Sequence, residues 1–100
     1  MNTTIEEING KFIATLEGEM DTAAAVEAEE VLQTLYQSNG KDVILDCTNL
    51  EYIASSGLRI LLGILKGAQV TGSKVIMRGV SDDIKNVFEL TGLISIFEFE

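Results

Sequence analysis

Residues 43–63 of this chain read VILDCTNLEYIASSGLRILLG, and this stretch indicates an α/β fold. Its first three residues, Val43, Ile44 and Leu45, are apolar and mostly β-branched, which predicts a central strand covered on both faces. From position 58, leucines recur at the i, i+3, i+4, i+7 spacing of a helix whose apolar stripe faces a sheet. That stripe comprises Leu58, Leu61, Leu62 and Leu65. We expect a second face of this helix, with Arg59, Gly63 and Lys66, to meet solvent.

Two serines lie at the junction between the predicted strand and the predicted helix. Ser55 and Ser56 precede Gly57, and we expect the helix to begin at one of the two serines. The first backbone N–H groups of a helix have no internal partners, and the helix dipole favours negative charge beside them. A serine at this point either caps the helix or carries a phosphate. These residues by themselves favour the cap.

The rest of the chain alternates between strand and helix patterns. Asn9-Gly10, between the segments 3–8 and 11–16, predicts an antiparallel hairpin. Residues 22–37 have helical spacing, with Asp21 or Thr22 as the N-cap, and Ser81 is the predicted cap of a third helix that ends near Gly92. The apolar positions of these two helices are Ala25, Ala28, Leu32, Leu35, Tyr36, Ile84, Val87 and Phe88.

Two further strands complete the predicted order. Residues 74–78 are apolar between two charged ends, and Ile96, Phe97 and Phe99 suit a short last strand. The resulting order ββαβαβαβ predicts a mixed sheet with an N-terminal hairpin, right-handed crossovers and helices packed against it.

Size and composition favour one small domain over residues 1–100. The chain has 100 residues, of which 46% are apolar, enough for a single core. No segment has the length of a membrane span, and residues 1–7 lack the pattern of a signal peptide, so we expect a cytoplasmic protein with no membrane insertion. Cys47 is the only cysteine, and we interpret it as a small buried side chain.

The net charge of −9 argues against nucleic acid as a partner, because binding to phosphate backbones requires clustered Lys and Arg. Two interpretations of the acidic excess stay open. It either keeps a small protein in solution or faces a partner protein with a basic surface.

The chemical inventory argues against most enzyme classes. With no histidine, neither a Ser-His-Asp nor a Cys-His nucleophile can form, and the commonest metal ligand is absent. Glycine-rich phosphate loops are absent as well, so we expect no enzyme, no cofactor and no metal. A small hydrolase that uses Asp21 and Asp46 is the weakest alternative, since nothing activates a nucleophile.

Several candidate site residues follow predicted strands. Asp21 and Ser55 each come after a strand and open a helix, so we expect both at the same end of the sheet. Asp46 follows the central strand and could approach the same loop, although an aspartate there is also common turn chemistry. Met20 and Tyr52 are either partner contacts or ordinary packing.

Three ordered motifs resemble one known family. Residues 43–63 resemble the strand, loop and Ser-Ser-Gly-Leu helix start of the STAS domain of anti-sigma factor antagonists. Residues 16–21 resemble the Gly-Glu-Leu-Asp that enters the first helix of that domain. Residues 87–93 resemble its apolar pattern with Thr/Ser-Gly-Leu, so the resemblance spans nearly the whole chain.

The resemblance implies a phosphorylation-controlled protein-binding switch. Ser55 takes the position of the family's phosphate acceptor. In that family the unphosphorylated protein binds an anti-sigma factor that is itself a serine kinase, phosphorylation breaks the complex, and a PP2C-like phosphatase resets it. The partner surface implied for this chain comprises Asp21, Ala54, Ser55, Ser56, Gly57 and Arg59.

The chain departs from the family pattern at two points. Ala54 stands where the family usually has Asp, and residues beyond Glu100 that would form the family's terminal helix are not in the sequence. The surface that such a helix covers is then either open or paired with another chain, as in a homodimer. STAS domains also serve membrane transport systems as small regulatory subunits, which is the alternative function.

Overall fold

Six strands and three α-helices alternate along the chain in a computed structural model that describes residues 1–100. The strands are β1 (Asn2–Ile8), β2 (Lys11–Met20), β3 (Val43–Asp46), β4 (Leu50–Ile53), β5 (Val75–Arg78) and β6 (Glu98–Phe99). The helices are α1 (Thr22–Leu32), α2 (Ser55–Val70) and α3 (Asp82–Leu90), and short 3-10 segments span Gln33–Tyr36 and Leu93–Ser95.

The strands form a mixed sheet in the order β1-β2-β3-β5-β6, which confirms the predicted fold class. β1 and β2 are antiparallel, and the other pairs are parallel. The hairpin turn contains Asn9 and Gly10 with positive φ angles of 52° and 77°, as a tight turn between twisted strands requires. The N-terminal hairpin is therefore confirmed.

β4 is an element that the sequence did not predict as a separate strand. It pairs with the last three residues of β2, where Met20 lies opposite Ile53. β2 pairs with β3 up to Thr15 and with β4 from Gly18 onward, and the register of the β2–β4 pair shifts between Gly18 and Glu19, where Gly18 has a φ of 100° that side chains rarely adopt. β2 thus extends past the end of β3, and the last residues of β2 and β4 lie side by side at one rim of the sheet.

The hydrophobic core lies on one face of the sheet. Val43 and Leu45 of β3 belong to the same cluster as the buried residues of all three helices, whereas Ile44 lies outside that cluster. Because successive side chains of a strand point to opposite faces, Ile44 lies on the other face, between Ile13 and Ile76 of the neighbouring strands. Ile44 is only 6% exposed, so both faces of β3 are buried as predicted, although the second face lies outside the core that the helices share.

Helix α2 buries more of its surface than the predicted leucine stripe. Leu58, Leu61 and Leu65 are buried as predicted, whereas Leu62 is only half-buried. The further buried residues of α2 are Gly57, Ile60, Ile64 and Ala68. The helix uses this wider apolar surface because it contacts α1 and the 3-10 segment as well as the sheet.

The face of α2 expected to meet solvent is partly occupied. Gly63 packs against Tyr36, because a Cβ on Gly63 would lie 2.7 Å from the Tyr36 ring. Gly67 lies against the backbone of Tyr36 and leaves no room for a Cβ there. Arg59 and Lys66 are exposed as predicted. The two glycines thus form a notch on α2 that holds Tyr36.

The other differences concern element ends. α1 ends at Leu32 and continues as a 3-10 segment to Tyr36, one residue short of the predicted end. Phe97 is buried against Phe88, but only Glu98 and Phe99 pair as β6, and Ile96 is 46% exposed. Val87 is half-buried. Short elements at the edge of a sheet depend on distant partners, which local patterns do not specify.

Cys47 is fully buried, as predicted. Burial, together with the nearby Asp46 charge, raises the pKa of its thiol to about 12. No helix of the chain combines the length and the apolar character needed to cross a membrane.

Candidate functional site

The ends of β2 and β4 bring two helix starts together at one rim of the sheet. Met20 pairs with Ile53, and the Ala54 N–H donates to the Met20 carbonyl oxygen at 2.8 Å. Asp21 and Ala54, the next residue of each strand, are the N-caps of α1 and α2. The sequence predicted this proximity of Asp21 and the Ser55 loop, because parallel strands end at the same rim.

Asp21 caps α1 with its side chain. Its Oδ1 accepts a hydrogen bond from the Ala24 N–H at 2.8 Å, and the residue is exposed. This bond satisfies one of the free donors of the helix start. The carboxylate also places a negative charge at the rim beside Ala54.

The start of α2 has no such side-chain cap. Its N-cap is Ala54, whose methyl group accepts no hydrogen bond, and Ser55 is already the first helical residue. Ser55 is exposed, while the Oγ of Ser56 is buried and has no hydrogen-bond partner. Neither serine caps the helix, so the capping interpretation favoured by these residues alone is wrong. The first N–H groups of α2 remain free for another acceptor.

Gly57 allows the start of α2 to approach the strand ends. A Cβ on Gly57 would lie 2.5 Å from Met20 Sδ and 2.8 Å from Ile53 Cγ1, closer than side chains tolerate. Met20 is fully buried in this contact, so it is ordinary packing. Tyr52, the other candidate partner contact, is 50% exposed, so a partner can reach it.

Arg59 lies one turn after Ser55 on α2, at the edge of a groove between α1 and α2. The guanidinium makes no ion pair with any carboxylate of the chain. Since residues i and i+4 of a helix are neighbours, this cation can reach a group carried by Ser55. The site thus combines an exposed hydroxyl, free helix N–H groups and an unpaired cation.

Sequence reasoning missed Glu29 and Val26 as residues of this surface and took Tyr36 only as a core position. The Tyr36 hydroxyl donates to Glu29 Oε2 at 2.8 Å beside the groove. Burial and the Glu29 carboxylate raise the pKa of Tyr36 to about 12. The sequence did contain a sign of the Tyr36 position, namely Gly63 and Gly67. Glycines inside a helix cost stability, so two of them in α2 indicate that another segment approaches the helix closely there.

Asp46 is not part of this site. Its Oδ1 accepts from the Thr48 N–H at 3.0 Å and from the Thr48 hydroxyl at 2.7 Å, and none of its hydrogen bonds reaches α2. The Thr48 bonds lower the pKa of Asp46, with a smaller contribution from Arg78. Asp46 is thus held in a turn, while Asp21 caps α1, so the two carboxylates of the hydrolase alternative have separate structural tasks. No three acidic or cysteine side chains lie close enough to hold a metal ion.

Comparison with known proteins identifies relatives over most of the chain. The model of the STAS domain family matches residues 2–100. BtrV of Bordetella bronchiseptica, named as a candidate anti-sigma factor antagonist, is 32% identical over 97 residues, which are 97% of this chain and 84% of BtrV. The anti-sigma-B factor antagonist of Staphylococcus aureus is 37% identical over 76 residues, which are 76% of this chain and 70% of that protein.

Solved structures share the fold. The unphosphorylated anti-sigma factor antagonist SpoIIAA superposes with a TM-score of 0.80 at 20% identity and covers 99% of this chain and 88% of its own. Phosphorylated SpoIIAA of Bacillus gives a TM-score of 0.75 at 20% identity, over 99% of this chain and 91% of its own. At such identity the likeness concerns the fold alone. With the family match over residues 2–100 and the relative at 32% identity, this chain belongs to the STAS domain family.

Proposed function

We propose that this chain is an anti-sigma factor antagonist that works as a phosphorylation-controlled binding switch. In its unphosphorylated form it sequesters an anti-sigma factor with serine kinase activity, and phosphorylation of Ser55 releases that partner. The names of the two bacterial relatives support this function over a role as a transporter subunit. The chain itself acts as a binding protein and kinase substrate, not as an enzyme.

One observation carries the proposal: Ser55 is exposed at the first position of a helix whose N-cap is an alanine. Its hydroxyl is therefore free of a capping role and accessible to a kinase. A phosphate there adds about −1.5 to −2 charges and three acceptor oxygens. The free N–H groups and the dipole of α2 stabilise such an anion.

The same geometry explains how one modification can break a complex without unfolding the protein. Ser55 is exposed, so the phosphate displaces no core contact of this chain. A partner packed against the start of α2 would instead have to bury a charge that its own surface does not pair. Ala54, Ser55, Ser56 and Gly57 form the centre of the surface that we propose for this partner.

Asp21 and Arg59 flank that centre with opposite charges. Only Oδ1 of Asp21 is used by the α1 cap, which leaves Oδ2 for a basic group of the partner. Arg59 is exposed and unpaired and can hold the phosphate once Ser55 is modified. We propose a PP2C-like phosphatase as the enzyme that removes this phosphate, and the cytoplasm as the place where these ATP-dependent steps occur.

The experiment that tests this function is phosphorylation by the anti-sigma factor kinase of the same organism with ATP, followed by mass spectrometry. We expect one phosphate on Ser55 and none on Ser55→Ala. Ser81 provides an internal control, because it also begins a helix but its Oγ is engaged by the Ile84 N–H at 3.2 Å. Modification that maps to Ser56 or Ser81, or that persists in Ser55→Ala, would contradict the assignment.

A further inference from the structure

A groove of about 280 Å³ opens between α1 and α2, directly beside the Ser55 surface. Ser56 and Arg59 of α2 line it, so it is continuous with the proposed partner surface. Val26 and Glu29 of α1 line it from the other side. None of these four residues caps either helix.

The groove has an apolar part that the fold does not fill. Buried Ala25 and Ile60 line it, and Val26 beside them keeps 65% of its surface exposed. A valine exposed on a flat surface is ordinary, as Val70 is at 86%. Val26 differs from Val70 because it borders a concave surface with buried apolar neighbours, which suits an apolar side chain of a partner.

The polar residues of the groove differ in whether they make a side-chain contact within the chain. The Glu29 carboxylate accepts a hydrogen bond from the Tyr36 hydroxyl, and the notch at Gly63 and Gly67 holds Tyr36 in place. The side of the groove formed by Glu29 and Tyr36 is therefore fixed. Arg59, in contrast, contacts none of the chain's carboxylates, although acidic residues outnumber basic ones by 16 to 7. Arg59 is thus a cation at the edge of the groove that a carboxylate of a partner can pair with.

We propose that this groove is a second part of the anti-sigma factor binding surface: it receives an apolar side chain of that partner, and Arg59 binds a carboxylate next to it. This inference rests on the proposed function. A phosphate on Ser55, four residues before Arg59 on the same helix, competes with the partner's carboxylate for the guanidinium. Phosphorylation then weakens the groove contact as well as the contact at Ser55.

The apolar contact is tested by calorimetry with the purified anti-sigma factor kinase of the same organism. Val26→Gln and Val70→Gln make the same neutral change at two exposed helical valines, only one of which lines the groove. We expect about tenfold weaker binding for Val26→Gln and wild-type binding for Val70→Gln, with both melting temperatures unchanged. Wild-type binding by Val26→Gln, alongside weak binding by Ser55→Asp, would overturn the groove and leave the proposed function standing.

The Arg59 contact is tested by a double-mutant cycle in the same assay. Arg59→Gln and its control Lys66→Gln each remove one exposed cation from α2, and we expect only Arg59→Gln to weaken binding. The loss of binding affinity caused by Ser55→Asp should be smaller in the Arg59→Gln background than in the wild type. Equal losses in both backgrounds would overturn the competition for Arg59. If Ser55→Asp binds like the wild type when Arg59 is present, the proposed function itself fails.

Discussion

The starts of α1 and α3 differ from the start of α2 in how their free N–H groups are satisfied. Asp21 caps α1, because its Oδ1 accepts a hydrogen bond from the Ala24 N–H at 2.8 Å. Ser81 caps α3 in the same way, because its Oγ accepts from the Ile84 N–H at 3.2 Å. α2 begins after Ala54 and has no side-chain cap, although two serines follow directly. The difference shows that α2 lacks a stabilising contact at the point where we propose that phosphate binds.

The missing cap has a cost and a consequence. An alanine in place of Asp or Ser at an N-cap costs about 1 kcal/mol, which is a large part of the stability of a small domain. In return the first N–H groups of α2 stay available for an anion. A functional site that gives up stability in this way follows the general trade-off between stability and activity.

The largest expected effect concerns the charge of Asp21 at the α1 start. Asp21→Asn keeps the cap, because Asn and Asp cap about equally well, so the melting temperature should stay unchanged. The partner loses a charge-assisted contact, and we expect binding to the anti-sigma factor kinase to weaken by about 1–3 kcal/mol. Melting temperature and affinity are measured on the same sample. Unchanged affinity would reduce Asp21 to a structural cap.

The close approach at the α2 start is tested by Gly57→Ala. The added Cβ would lie under 3.0 Å from both Met20 and Ile53, which places the overpacking cost in the upper part of its range, about 2–3 kcal/mol, while alanine improves helix propensity by about 1 kcal/mol. We expect a net loss of about 1–2 kcal/mol, or roughly 4–16 °C in melting temperature. Ser55→Ala, two residues earlier and exposed, is the control and should melt like the wild type. A Gly57→Ala protein with wild-type stability would show that Met20 moves aside.

Removal of the caps tests the comparison itself. Asp21→Ala and Ser81→Ala should each lose about 1 kcal/mol of unfolding free energy, because each leaves a helix N–H without its acceptor. Ser55→Ala should change this free energy by less than about 0.5 kcal/mol, as surface substitutions do. Urea denaturation of the three variants measures all of these values. A loss in Ser55→Ala equal to that in Ser81→Ala would mean that Ser55 caps α2 after all.

The smallest effect is the gain from giving α2 a cap. Ala54→Asn should stabilise the protein by about 0.5–1 kcal/mol, because its side chain can accept from the free N–H groups. Ala54→Asp supplies the same cap but adds a negative charge beside Asp21, so its gain should be smaller at low salt. Melting curves at two salt concentrations separate capping from repulsion. Ala54→Asp should also change the initial rate of Ser55 phosphorylation, since it alters the loop that the kinase recognises.

The sequence predicted those features that local chemistry determines. Asn9-Gly10 specifies its turn through positive φ angles, and Asp21 and Ser81 are caps by their side-chain type. The shared rim of Asp21 and Ser55 followed from the rule that parallel strands end at the same side. In each case the residue and its sequence neighbours carry the information.

Features that depend on distant partners were not predicted. β4 forms by pairing with the last three residues of β2, beyond the part of β2 that pairs with β3, and nothing in residues 50–53 alone marks that pairing. That Ile44 lies outside the main core depends on where the helices fold back, not on the apolar run of β3. Tyr36 lines the α1–α2 groove and packs into the notch on α2, and these two segments lie about a third of the chain apart. The roles of the site residues stay predictions.

The central claim is that phosphate on Ser55 controls binding, and calorimetry of the phosphorylated chain against the unmodified chain tests it most directly. Both forms are titrated into the purified anti-sigma factor kinase of the same organism, without ATP and with melting temperatures measured in parallel. We predict that phosphorylation weakens binding at least about tenfold, or roughly 1.4 kcal/mol, while the fold is retained. Equal affinities of the two folded forms would contradict the switch.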